Sequence, residues 1–400
     1  MGRIAVIVSL IFSYSVLAAQ RNQVWGGDLV LWGDAVRKAP RMSRPHCNLG
    51  KAYQDRDLFG LAMAEHREAL RIKPNLTVAR YNLGNAYKTI GRLDEAISAY
   101  TQTLEIDPDY MEACYNLGNT YKAMGKLDEA IASYTMALEI DPDYAEARYN
   151  LGNTYKAMGK LNEAIASYTM ALEIDPDYAE ACYNLGLIYQ DKHSLDAAAE
   201  MYRRALEIRP GYTEAHNNLG NVYLEHGLLE EAAQEYRKAL ELKPDYAEAH
   251  YNLGNVYKNQ GMLDEAIPKY MRALEVRPDY TEACYHLGLA YQKKQVWDEA
   301  VSAYRRALEV RPDYAEVHNN LGIIYQSQDG FDQALTAFRR ALEVKPDYAE
   351  AHYNLGNILR DRGDWEGAIR SYEAFLRYWK GDRTYREIVV ARIARLRNPR

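Results

Sequence analysis

Asparagine recurs along this chain at a fixed interval. Asn48, Asn82, Asn116, Asn150, Asn184, Asn218, Asn252, Asn320 and Asn354 are spaced by 34 residues or a multiple of it, and His286 fills the one interrupted position. A second row follows three residues behind: Asn85, Asn119, Asn153, Asn221, Asn255 and Asn357. A carboxamide is both a donor and an acceptor. A row of them can hold the amide groups of an extended peptide without reading its side chains, but it has no means of breaking a bond. The more reactive residue types are arranged less suggestively. His216, His250, His318 and His352 share one position of the interval with Cys114, Cys182 and Cys284. Cys284 and His286, two apart, face different ways on a helix. The chain has no HExxH pair, no CxxC, no Ser-His-Asp set and no phosphate loop. These residues point to binding without catalysis, with no metal and no cofactor.

The interval belongs to the whole chain. Met111–Tyr144 and Ala145–Tyr178 differ only at Met111/Ala145, Cys114/Arg148 and Asp128/Asn162. Gly50 and Pro40 each begin a series that returns every 34 residues, ending at Gly356 and Pro346. A period of this size marks an array whose units stack on their neighbours. We number the places of each repeat from the residue held by Ala145 in the fourth. Ala147, Arg148, Leu151, Gly152 and Tyr155 have the spacing of an amphipathic first helix, which Gly159 stops. Ala164, Tyr168, Ala171 and Leu172 stripe a second helix, ended by Asp175-Pro176. Glycine stands at place 8 of all ten repeats. It costs about 1 kcal/mol against alanine inside a helix, so a close approach of the paired helix is expected there, with alanines such as Ala164 opposite. Asp143 and Glu146 have the spacing of a capping box.

Leu151-Gly152-x-x-Tyr155, Ala164-x-x-x-Tyr168 and Pro176, repeated over residues 43–382, closely resemble the tetratricopeptide repeat. Place 4 departs from that family: Cys, His or Arg stands where Trp is frequent. The resemblance implies an all-α fold, an α-solenoid coiled as a right-handed superhelix of about ten helix-turn-helix repeats, with the first helices on the concave side. It also implies a protein or peptide partner. The asparagine row is similar to the ladder with which O-GlcNAc transferase arrays grip protein substrates. On that reading Asn82, Asn85, Asn116, Asn119, Asn150, Asn153, Asn184, Asn218, Asn221, Asn252, Asn255, Asn320, Asn354 and Asn357 bind peptide. Hydrogen bonding between repeats and plain solvation are the alternatives. Glutamate at place 2 of eight repeats, Glu112 to Glu350, would repel a C-terminal carboxylate and disfavours the partners of carboxylate-clamp arrays.

The ends complete the expected organisation. Residues 1–20 read as a signal peptide or membrane anchor, because Ile4 to Gln20 carries no charge between Arg3 and Arg21. That places the protein in the cell envelope, exported or anchored by residues 4–20. The basic residues from Arg21 to Arg44 would instead hold the repeats on the cytoplasmic face. Residues 21–42 are a linker with a partial repeat helix, and 383–400 a capping helix and tail. The cap stripes Tyr385, Val389, Ile393 and Leu396 against arginines. A net charge of -7 argues against nucleic acid. The four cysteines read as packed thiols. Two functions of different class are left: a non-enzymatic scaffold, and the substrate-recruiting arm of a protein glycosyltransferase of O-GlcNAc or O-mannosyl type whose catalytic domain is elsewhere. The stretch from Arg21 to Pro45 is similar to the junction in membrane O-mannosyltransferases that bear such repeats.

Overall fold

The computed structural model describes residues 27–397, which form an all-α solenoid of twenty-two helices with no strand among them. The third repeat is typical, with a first helix Met111–Ala123 and a second helix Leu127–Ile140. Outside the fifth repeat the two helices of a repeat pack on each other, and second helices such as Leu127–Ile140 pack on the first helix of the next repeat. First helices of neighbouring repeats also touch directly. Helix Asp28–Lys38 packs on Ser43–Gln54 in the manner of a second helix, and Arg383–Arg397 closes the other end with Val389 and Ile393 buried. The chain forms two compact units, residues 1–188 and 189–400, so the division falls within the fifth repeat. Among the described residues no helix is long and apolar enough to cross a membrane. The stretch Ile4 to Gln20 lies outside the described residues.

Each first helix ends on a residue with left-handed backbone at place 15. Six repeats use glycine there, from Gly91 (φ 78) to Gly363 (φ 80). The other four force Asp57, His193, Gln295 and Asp329 to φ values of 54 to 59. A side chain in that region costs roughly 1–2 kcal/mol, so the turn geometry is imposed by the stacking.

The core is made of alanine and tyrosine. Alanines at place 3, such as Ala113 and Ala147, are fully buried, as are Tyr100, Tyr134 and Tyr168 at place 24. Place-8 glycine does admit the second helix closely, but what faces it is the tyrosine at place 24 and not the expected alanine. A β-carbon on Gly118 would lie 2.7 Å from the Tyr134 ring, and one on Gly152 would lie 2.7 Å from Tyr168. The ring edge from Cδ1 to Cζ sits against the glycine because only a bare backbone leaves room for it there.

The capping boxes do not form. Tyr144, not Asp143, is the residue at the cap, and no side chain bonds the helix start. Asp141 Oδ1 accepts from the Asp143 backbone N–H at 3.1 Å, a local turn that draws the chain away from capping geometry. The glutamates are thereby freed for longer reach. Glu146 accepts from the Tyr115 hydroxyl at 2.7 Å, and Glu282 and Glu316 pair with Arg311 and Lys345 at 3.1 and 3.3 Å. Of the repeats, the tenth does cap its second helix: Asp364 accepts from the Gly367 backbone N–H at 2.8 Å.

Candidate functional site: the amide wall of the first helices

The two asparagine rows occupy the side of the first helices away from the second helices, and every one of the fourteen is half-buried. Their amides are held by tyrosines. At place 9, Asn85, Asn119, Asn153, Asn221, Asn255 and Asn357 each accept from the place-24 hydroxyl of their own repeat at 2.7–2.8 Å. The hydroxyl reaches these amides by passing over the place-8 glycine.

Place 6 works between repeats. Asn116 donates to the Tyr81 hydroxyl and Asn150 to the Tyr115 hydroxyl, both at 2.8 Å, and Asn184 donates to Tyr149 at 3.1 Å. Where place 5 is itself asparagine the bond persists in another form. Asn252 donates to Asn217 at 3.1 Å and Asn354 to Asn319 at 3.0 Å. The two rows also meet, Asn184 with Asn153 and Asn252 with Asn221. Asn320 donates to Tyr304 at 3.3 Å, and Asn218 accepts from Asn217 at 3.3 Å. Asn82 differs: its backbone carbonyl accepts from Gln54 at 3.0 Å, while its amide lies 4.0 Å from the Cys47 sulfur. Bonding between repeats, one of the alternatives raised by the sequence, is therefore present.

These bonds do not exhaust the amides. A carboxamide has two N–H groups and two lone pairs. Asn116 uses one donor on Tyr81 and one acceptor on Lys88, whose ammonium lies 2.7 Å away. Asn119 gives one lone pair to Tyr134. Asn116 and Asn119 thus keep oriented amide valences on a half-exposed wall.

Place 12 supplies the charge. Lys88 and Lys156 reach the place-6 amide of the next repeat, and Lys258 reaches His286 Nδ1 at 3.1 Å. Burial lowers the Lys88, Lys122 and Lys258 ammonium pKa values, with no carboxylate offsetting it. Burial, with Lys258 alongside, also holds His286 down to about 4. Burial pushes the place-24 tyrosines well above the usual phenol range, which fixes them as neutral donors.

The sequence reading missed that the repeats form two classes. Repeats 1, 5, 8 and 9 lack asparagine at place 9, lack glycine at place 15 and carry glutamine at place 12. In these the glutamine takes over as acceptor. Gln190 accepts from Tyr202 at 2.9 Å and Gln292 from Tyr304 at 2.6 Å, and Gln54 faces His66 at 2.9 Å. In repeat 9 the place-24 residue is Phe338, which has no hydroxyl to satisfy. Leu187, Leu289 and Ile323 then put apolar side chains on the wall. The linked changes at three places were visible in the aligned repeats.

The histidines and cysteines of places 4 and 5 are structural. His216 contacts Glu235 at 2.5 Å and the Pro210 carbonyl at 3.0 Å, tying the repeat boundary to the second helix. All four cysteines are buried free thiols, and burial pushes Cys114 up to about 11. Among the described residues no group of three His, Cys, Asp or Glu side chains could hold a metal.

Sequence models of the tetratricopeptide repeat match the chain in overlapping segments from residue 77 to residue 383, among them 118–159, 179–212, 280–347 and 320–383. The chain belongs to the tetratricopeptide repeat family. The models match the repeat itself and do not specifically show the resemblance to O-GlcNAc transferase arrays. No curated protein matches the chain. Among solved structures it is similar to YrrB, described as a TPR protein with an unusual peptide-binding site (27% identity, 46% of this chain, 95% of that one, TM-score 0.42). It is also similar to MamA (34% identity, 42% and 97%, TM-score 0.39) and to yeast Tom70 (14% identity, 89% and 95%, TM-score 0.42). A pure array of this family is the architecture of a protein-interaction scaffold.

Proposed function

We propose that this tetratricopeptide array is a non-enzymatic scaffold that holds extended segments of partner proteins against the wall formed by its first helices. The observation that carries the reading is the state of the amides. Asn116 and Asn119 are oriented by fixed tyrosine hydroxyls, half-exposed, and still have unused donors and acceptors. Pre-oriented groups lose little freedom when a guest binds, and an extended backbone offers a donor and an acceptor at every residue. Asparagine is a poor helix former, so an idle surface would favour Glu, Lys or Gln instead. The near-copy repeats repeat the same contact, which suits a guest held by its backbone.

The same reading places the protein at the cell envelope through residues 4–20. For the wall, the test is an array of short immobilised peptides probed with the full chain and with a variant carrying Asn116→Ala, Asn150→Ala, Asn184→Ala and Asn218→Ala. Captured peptides should be lost by the variant while its helical circular dichroism persists. Equal capture by both proteins would discard the wall.

A further inference from the structure

The last three repeats change one edge of the array. Place 17, where the second helix begins, is leucine in repeats 2 to 7 and becomes Trp297, Phe331 and Trp365 in repeats 8 to 10. The fold does not need the larger rings. The leucines are half-buried, whereas Phe331 is 38% and Trp365 52% exposed. Each ring is followed by an exposed carboxylate: Asp298, Asp332 or Glu366. An acidic residue in a first turn is ordinary, but helix stability does not explain a ring beside it. Asp332 pairs with Arg362 at 2.6 Å and Glu366 lies 3.7 Å from Arg370, both at the surface. Helices packed in such a stack stand about 8–10 Å apart, so three ring–acid pairs extend over about 20 Å.

The cap helix Arg383–Arg397 has a free side that fits this edge. Its Val389 and Ile393 are buried. Turned away from them, Arg383, Arg386, Val390, Ala394 and Arg397 succeed one another at three- and four-residue spacing and form one stripe, exposed throughout. From the first arginine to the last is about 21 Å, the length of the ring–acid row. Arg383 and Arg397 bond Glu387 and Glu373 at the surface, contacts of small value. The stripe is cationic around Val390 and Ala394, and the edge is anionic around its rings. An arginine over a ring and beside a carboxylate is stabilised by both. The chain already contains that arrangement: Arg311 lies 4.6 Å from the Tyr314 ring centre and 3.1 Å from Glu282. The cap does not cover the edge of its own chain, since Trp365 and Val390 are both about half exposed.

We propose that two copies of the chain pair through this end, the arginine stripe of each cap lying on the Trp297, Phe331 and Trp365 edge of the other. Both surfaces adjoin the helix Trp365–Tyr378, which begins at one ring and carries the cap. One two-fold axis therefore satisfies both contacts, and the assembly closes as a dimer. Two strips of about 20 by 10 Å make an interface at the small end of specific ones, so the dimer is reversible.

The test follows the full chain by light scattering from micromolar to submillimolar concentration. Its mass should rise from that of one chain to that of two, and the rise should shrink in high salt. A natural chain that stays single throughout would overturn the proposal and leave the edge to a basic segment of another protein. Trp365→Leu installs the residue of the other repeats, so it should fold. It should weaken pairing about tenfold, roughly threefold for each of the two contacts, and an unchanged affinity would contradict the role of the rings. Two charge-reversed variants supply the decisive comparison. Arg383→Glu with Arg386→Glu makes the cap acidic, and Asp298→Lys with Glu366→Lys makes the edge basic. Each variant alone sets like charges together and should stay single while keeping its helical circular dichroism. An equimolar mixture of the two should pair again, because the acidic cap meets the basic edge and the two natural surfaces meet in the second contact. Pairing by either variant alone as tightly as the natural chain would place the contact elsewhere and overturn the proposal. A mixture that stays single would mean that the reversals do not act through these surfaces, and would overturn it equally.

Discussion

Gly118→Ala should destabilise the protein although alanine is the better helix former. The new β-carbon would lie 2.7 Å from Cδ1 and Cε1 of Tyr134 and 3.1 Å from Cζ. Tyr134 is fully buried and its hydroxyl is fixed at 2.7 Å on Asn119, so the ring has nowhere to retreat. Overpacking of this kind costs about 1–3 kcal/mol, against about 1 kcal/mol gained in helix propensity. The net loss should be about 1 kcal/mol. In a Tyr134→Ala background the obstacle is gone and the sign reverses, with Gly118→Ala stabilising by about 1 kcal/mol. The double-mutant cycle should then show a coupling of about 2 kcal/mol. Because repeats can open locally, denaturant unfolding followed by circular dichroism should be paired with amide exchange over residues 111–140. Stabilisation by Gly118→Ala in both backgrounds would refute the role assigned to the glycine–tyrosine contact.

Two further outcomes follow from the same geometry. Gln295, held at φ 59, should gain about 1 kcal/mol on replacement by glycine, read as a higher unfolding midpoint. An unchanged midpoint would mean that the turn is unstrained. His66 is buried against Gly50, and burial holds it down to about 4 from an ordinary 6.5. The unfolded imidazole takes up its proton near pH 6.5 and the folded one only near 4, so stability is full above pH 6.5 and falls as the pH drops toward 4. The fall amounts to about 3 kcal/mol for such a shift. His66→Phe, which repeat 9 carries naturally as Phe338, should flatten it in melting curves taken at pH 7 and pH 4.5. A variant that declines as steeply as the natural chain would contradict the assignment.

The repeat made most of the fold legible. A 34-residue period, glycine at place 15 and the Asp-Pro ending set the helix boundaries, because each reports a backbone restriction that survives without tertiary context. Which residue faces which was harder to read. Alanine opposite Gly118 satisfies the spacing as well as Tyr134 does, and only the stacking angle decides for the ring. The capping box at Asp143 and Glu146 failed for a related reason. A local turn through Asp141 competes for the backbone N–H, and Glu146 finds Tyr115 in the previous repeat. The asparagine rows were visible at once, but their tyrosine partners lie 15 and 35 residues away, on a different helix or repeat. Periodicity within one helix has no access to those pairs. The covariation of places 9, 12 and 15 was accessible, since Leu187, Gln190 and His193 change together.

The most direct test of the wall is to ask where a captured peptide lies. Ala157 is exposed on the amide side of its helix and Met170 is 46% exposed on a second helix. With the native thiols buried, Ala157→Cys and Met170→Cys can each carry a benzophenone label without touching an asparagine. A peptide selected on the array should photo-crosslink to the label at 157 and not to the label at 170. Crosslinking at 170, or equally at both, would contradict a guest bound along the first helices.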